Sequence, residues 1–196
     1  MPNYKELSSG ELQRLASQGD RDAYYWLGVH FAKCGDKQNT AMWWEKAVKE
    51  LPSNHEGFGR AALGLAVMHK NKEIPNANDN EAIRLFELTP KLGPLGKLLL
   101  GMLYYDVQGQ KNNPSKGIGF VEDAITQYIK EDGNDEDIDY GLCYEIARVF
   151  YDYAGKTNNV DYAHKGIEYF GKTYARGPGS PQAEVAEKVL KSHNVL

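Results

Sequence analysis

Cysteine is scarce in this chain. Cys34 and Cys143 are the only two in 196 residues, too far apart in sequence to suggest a disulfide framework or a cysteine-ligated metal. Two reduced thiols are the expectation. Long apolar runs are absent as well. The N-terminus "MPNYKELSSGELQRLASQGD" holds no segment of signal-peptide length, and nothing later is long enough to span a bilayer. The expectation is a cytoplasmic protein with no membrane partner. Neither sign of charge dominates: 23 Lys and Arg stand against 27 Asp and Glu, for a net charge of −4. A phosphate backbone selects a basic face, so nucleic acid is excluded as the expected partner.

The chemistry-bearing motifs are also missing. There is no paired histidine at helical zinc spacing, no glycine-rich phosphate loop and no local signature of a Ser or Cys nucleophile. The five histidines are scattered, and "NHEGFG" has no second histidine four residues after His55. The acidic stretch "KEDGNDEDIDYG" lacks the oxygen-ligand spacing of a calcium loop and reads as a solvated linker. No catalytic residue, cofactor or metal is therefore expected. Were a metal to bind, Asp135, Asp137 and Asp139 would be the first residues to test.

What the chain does have is glycine inside apolar runs. Gly28 in "DAYYWLGVHF" costs a helix interior about 1 kcal/mol against alanine. The Leu-Gly pair returns at Leu63-Gly64 and Leu100-Gly101, and as Ile146-Ala147, in steps of 36, 37 and 46 residues. Each copy has a second half with one spacing. Thr40, Trp44, Ala47 and Pro52 are matched by Ala82, Phe86, Thr89 and Pro94. Gly117, Val121, Ala124 and Ile129 follow, then Gly166, Phe170, Thr173 and Pro178. A small residue at a fixed register lets two helices approach closely, so Gly28 is expected to be a contact point in an unbroken helix.

Caps and breakers predict ten helices. An opening helix covers about 10–18. Four hairpins follow at about 21–50 (21–34 with 39–50), 56–89 (56–70 with 79–89), 94–130 (94–106 with 114–130) and 139–176 (139–154 with 161–176), and a closing helix at about 181–193. The pattern resembles the tetratricopeptide repeat, aromatic-x2-Leu-Gly-x2-aromatic then Ala-x3-Phe then Pro, most closely at Tyr24, Leu27, Gly28 and Phe31. The distance from the Gly position to the second-helix small residue is 12 residues in the first copy and 18, 16 and 19 in the others. That lengthened link is similar to the Sel-1-like repeat family. The resemblance spans about Asp20 to Pro178, with Ala147 in place of a glycine and Ile129 in place of a proline. It implies an all-α, right-handed solenoid forming a single domain over 1–196, capped by a helix at each end.

The family likeness further implies a non-enzymatic module that binds another protein, as an immunity protein against a bacterial toxin or as a regulatory adaptor. An enzyme with a site assembled from distant residues is the alternative class. In such a stack the first helix of each pair lines the concave surface. Helical phase places Tyr25, Val29, Ala32 and Lys33 there in the first hairpin, and Ala61, Leu65, Met68 and His69 in the second. Leu98, Met102, Tyr105 and Asp106 follow, then Tyr144, Arg148, Tyr151 and Asp152. Tyr, Met and Arg are enriched at protein interfaces. The expected partner-binding set is therefore Tyr25, Lys33, Met68, His69, Met102, Tyr105, Asp106, Tyr144, Arg148, Tyr151 and Asp152. Leu27, Phe31, Trp44, Leu63, Phe86, Leu100, Phe150 and Phe170 are expected in the core.

Overall fold

A computed structural model describes residues 2–89, 91–107, 112–132, 134–136 and 138–196, with the side chain of residue 132 left aside. Among these residues there are ten α-helices and no strand. They are α1 (Ser9–Ser17), α2 (Asp22–Lys33), α3 (Lys37–Glu50), α4 (Glu56–Lys70) and α5 (Asp79–Leu88). Then come α6 (Pro94–Asp106), α7 (Pro114–Asp132), α8 (Tyr140–Thr157), α9 (Val160–Arg176) and α10 (Pro181–Ser192). A single 3-10 turn, Tyr4–Glu6, precedes them. The chain divides into two compact units, Met1–Gly96 and Lys97–Leu196.

Most helices start where a side chain replaces the missing backbone acceptor. Ser8 and Glu11 form a reciprocal capping box on α1. Asp36, Asn78, Asp139 and Asn159 each accept a backbone N–H from the first turn that follows them. Ser180 caps α10, with Pro181 at its first position. His55 caps α4 in an unusual way: its Nδ1 accepts the Gly57 N–H at 3.1 Å.

In the first unit, α2 packs on α3 and α4 on α5, with α3 and α2 both against α4. Leu12, Leu27, Ala47, Leu51, Phe58 and Ala61 form its core. In the second unit the core holds Leu98, Met102, Val121, Ile146, Phe150 and Phe170, closed by Leu190 of α10.

The small residues act where helices meet. A Cβ added to Gly101 would stand 2.7 Å from the Gly117 carbonyl oxygen, so α6 and α7 touch backbone to backbone. Gly166 of α9 lies against the backbone of Tyr151 in α8, where a Cβ would meet nitrogen at 2.9 Å. Gly28 and Gly64 do something different. Both face the Trp44 indole, with added Cβ atoms 2.2 and 2.4 Å from its ring. The helix α2 runs unbroken through Gly28.

Three helix pairs share a further device. Tyr24 of α2 stacks on Trp43 of α3 at 6.0 Å between centroids, and Lys46 lies over both rings. Tyr104 of α6 stacks on Phe120 of α7 at 5.9 Å under Lys116. Phe150 of α8 stacks on Tyr162 of α9 at 5.8 Å under Lys165. Each lysine comes from the second helix of its pair. Its ammonium stands over the ring faces, where the electron-rich π surface attracts a cation.

Candidate functional site

The first unit carries a groove of about 490 Å³ between α2 and α4. Trp44 of α3 forms its floor. The indole fits there because Gly28 and Gly64 leave no Cβ in its way. Trp44 is half-buried, and its Nε1 is buried without a hydrogen-bond partner. Tyr25 and the exposed Ala32 of α2 form one wall; Leu63, Val67 and Met68 of α4 form the other. Lys37 and Glu73 pair at 3.5 Å at one end of the groove, and Arg60 stands at the other.

Arg60 and Tyr25 also border a second hollow of about 330 Å³, so the two spaces share a boundary. Arg60 forms an ion pair with Glu56 at 2.5 Å. The second hollow is lined by Tyr4, Trp26 and His55 among others. His55 Nε2 contacts Asp22 Oδ1 at 2.9 Å. Both ring nitrogens of His55 are therefore engaged, one with the α4 cap and one with Asp22.

Of the residues expected at a partner surface, Tyr25 and Met68 line this groove, although Met68 itself is buried. Lys33 is exposed and outside the lining. His69 is buried and faces another hollow with Leu65 and Phe58, and its Nδ1 accepts the Asn78 N–H at 3.3 Å. The groove face of α4 is Arg60, Leu63, Gly64, Val67 and Met68. It lies about one position earlier along the helix than Ala61, Leu65, Met68 and His69.

The charged and hydroxyl groups expected at the surface of the second unit are engaged within it. Arg148 donates to both carboxylate oxygens of Asp106, at 3.0 and 2.6 Å, and to Glu145 at 2.9 Å. Burial works against the charge on its guanidinium, but these two acids outweigh it and keep it firmly protonated. Tyr105 is buried and its hydroxyl donates to Asp152, while Lys156 donates to the same hydroxyl at 3.3 Å. Burial and the Asp152 carboxylate push the Tyr105 pKa up to about 12. Met102 is buried in the core cluster. Tyr144 is half-buried and edge-on to Phe170. Tyr151 meets Phe170 and His193, its hydroxyl 3.1 Å from His193 Nε2.

Three expected core residues, Phe31, Trp44 and Leu63, are only half-buried, and the last two line the groove. Glycine recurring at 28 and 64 was the available signal of a close approach there, and only the structure shows that Trp44 fills it. Arg60, Lys37, Val67 and Glu73 had no comparable signal.

The acidic segment is also corrected. Asp135 is 8% exposed, not solvated. It accepts from Tyr169 Oη at 2.8 Å, Lys172 Nζ at 2.5 Å and Arg176 Nη2 at 3.2 Å. Burial raises its pKa, but the hydrogen bonds and charges of these partners outweigh that and hold it below the ordinary carboxylate value. Asp139 is the α8 cap, and Asp137 lies outside the described residues. Among the described residues no three His, Cys, Asp or Glu side chains converge as metal ligands. No helix among them is long and apolar enough to cross a membrane.

Comparison with protein-family models, with curated proteins and with solved structures yields no match.

Proposed function

We propose that this chain is a non-enzymatic binding module for another protein, built from repeated helix pairs, and that the groove between α2 and α4 receives the partner. The observation that carries this reading is the groove itself: about 490 Å³, mostly apolar, floored by a half-buried tryptophan and rimmed by charge. Aromatic floors with polar rims are the usual anatomy of recognition surfaces. The shared register of small residues supports the repeat reading. An immunity or adaptor role would use this surface in the same way.

The test uses a blocking substitution at an exposed wall position, which leaves the core untouched. The partner is first purified with the intact chain from its native host and identified by mass spectrometry. Ala32→Trp fills the groove and is expected to weaken binding at least tenfold. Lys33→Ala, exposed next to it but outside the lining, is expected to leave affinity unchanged. Retained affinity in Ala32→Trp would refute the assignment of the groove.

A further inference from the structure

A ring nitrogen of histidine that accepts a hydrogen bond carries no proton, and one that faces a carbonyl oxygen must carry one. The helix α4 has a histidine at each end, His55 as its cap and His69 in its last turn. Both engage a backbone N–H through Nδ1. His55 accepts from Gly57 at 3.1 Å, and His69 accepts from Asn78, the cap residue of α5, at 3.3 Å. In each ring the proton therefore sits on Nε2. In His55 it is donated to Asp22 Oδ1, 2.9 Å away in the first turn of α2. Both ends of α4 are thus held by neutral imidazoles.

His193, which closes α10, is engaged the other way. Its Nδ1 is 2.9 Å from the Val189 carbonyl oxygen, and its Nε2 is 3.1 Å from the Tyr151 hydroxyl. The carbonyl needs a donor and the hydroxyl can turn to accept one, so both contacts survive a second proton on the ring. At α4 they do not. A charged imidazole carries N–H on both nitrogens, and Nδ1–H would then face the N–H of Gly57 or of Asn78, donor against donor. Gly57 is buried, so its N–H must move to find another acceptor.

Charges of both signs face each ring. Around His55 stand Asp22 of α2, Glu56 and Arg60 of α4, and Lys5 before α1, with the Tyr4 and Tyr25 hydroxyls. Around His69 stand Glu45 and Lys49 of α3, and Glu81 and Arg84 of α5. What the two contacts cannot tolerate is the proton on Nδ1 itself. The ends they hold adjoin the groove: Gly57 lies against Tyr25, and Met68 precedes His69.

We propose that α4 is a proton-sensitive element. Proton uptake by His55 and His69 releases the Gly57 and Asn78 N–H groups and loosens both ends of the helix, while its middle stays folded. At His55 the step exchanges a helix cap for an ion pair with Asp22, so the first turn of α4 opens with His55 still on α2. Imidazole changes charge between about pH 5 and 8, so the response falls in that range.

Nuclear magnetic resonance on the full, isotope-labelled chain tests this. At about pH 8, long-range ring spectra should show both histidines with the proton on Nε2. Amide exchange, normalised to the rates of an unstructured chain, is then followed down to about pH 5. Protection of Gly57 and Asn78 should fall about fivefold or more, each in step with its own imidazole, because a helix cap is typically worth ~1 kcal/mol. Leu65, in the middle of α4, should keep its protection. Asparagine is a common cap whose side-chain oxygen does not titrate. In His55→Asn, Gly57 should therefore stay protected throughout while Asn78 still responds. A proton on Nδ1 at about pH 8, or protection of the two amides that is absent or constant, would overturn the proposal. So would an equal fall at Leu65, which would mark general acid destabilisation, or an unchanged response of Gly57 in His55→Asn. A response at one end alone would refute a device acting on the whole helix.

Discussion

Replacing Asp135 tests the packing of the second unit. Its carboxylate takes one hydrogen bond from Tyr169 and charge-assisted bonds from Lys172 and Arg176. Arg176 Nη1 also donates to the carbonyls of Asp135 and Ile138, at 3.0 and 2.8 Å, so the segment before α8 is tied to α9 by side chain and backbone together. Removing one partner of a buried ion pair costs roughly 3–5 kcal/mol, chiefly because the survivor is left uncompensated. Here the survivors keep other acceptors: Lys172 has Glu168 at 2.7 Å, and Arg176 has the two carbonyls. Both cations are also about a quarter exposed. The cost of Asp135→Ala is therefore placed at the lower end, about 3 kcal/mol.

Urea denaturation followed by circular dichroism measures that cost, and its pH dependence fixes the cause. The folded-state pKa of Asp135 lies below the unfolded value of about 3.9. Its contribution is fully present above the unfolded pKa and disappears as pH falls through the folded one. The parent and Asp135→Ala should thus differ by about 3 kcal/mol at pH 7, and the gap should narrow as the solution is acidified below about pH 4. Glu136→Ala, the exposed neighbour, should cost less than about 0.5 kcal/mol. A gap below about 1 kcal/mol at pH 7, or one that does not narrow on acidification, would refute the argument that the buried charge holds the segment.

Gly101→Ala is expected to destabilise by about 2 kcal/mol in the same denaturation assay, because its Cβ would meet the Gly117 carbonyl and neither backbone can step aside. Gly119→Ala, on the same helix as Gly117 but with open space around it, should instead stabilise by up to about 1 kcal/mol. Lys46→Ala should cost about 0.5–1 kcal/mol by uncovering the Tyr24 and Trp43 rings, with little dependence on salt. Trp44→Ala should cost about 2 kcal/mol, whereas Trp44→Phe should cost under about 1 kcal/mol because it also removes the unpartnered indole N–H. Thermal melts of the two Trp44 variants decide between these values.

Helix bounds were legible because they are written locally. The expected spans 56–70 and 94–106 coincide with α4 and α6. The main extension is α8, which runs to Thr157 beyond the expected 154. Gly155 read as the start of a link. It has nothing within 4 Å, so the helix passes through it at the usual glycine cost and turns only at Asn158, which adopts a left-handed conformation with φ 52°.

The candidate site was less legible because helical phase assigns a side chain to a face and says nothing of what waits there. Arg148 and Asp106 are 42 residues apart, and Tyr105 and Asp152 are 47 apart. Tyrosine, arginine and aspartate on one predicted surface read equally well as partner contacts or as partners of each other. The structure pairs them within the unit. Trp44 was misplaced for the opposite reason. Its slot in the second-helix pattern matches those of Phe86 and Phe170, which are buried at 0 and 5%. The difference lies in what faces it. Two glycines from two different helices receive one indole, so the ring spans α2 and α4 and becomes the floor of a groove. A bulky residue at either glycine would displace that floor. The same small residues that let helices touch elsewhere in the chain thus create a surface here, and the outcome depends on whether a backbone or a ring fills the space they leave.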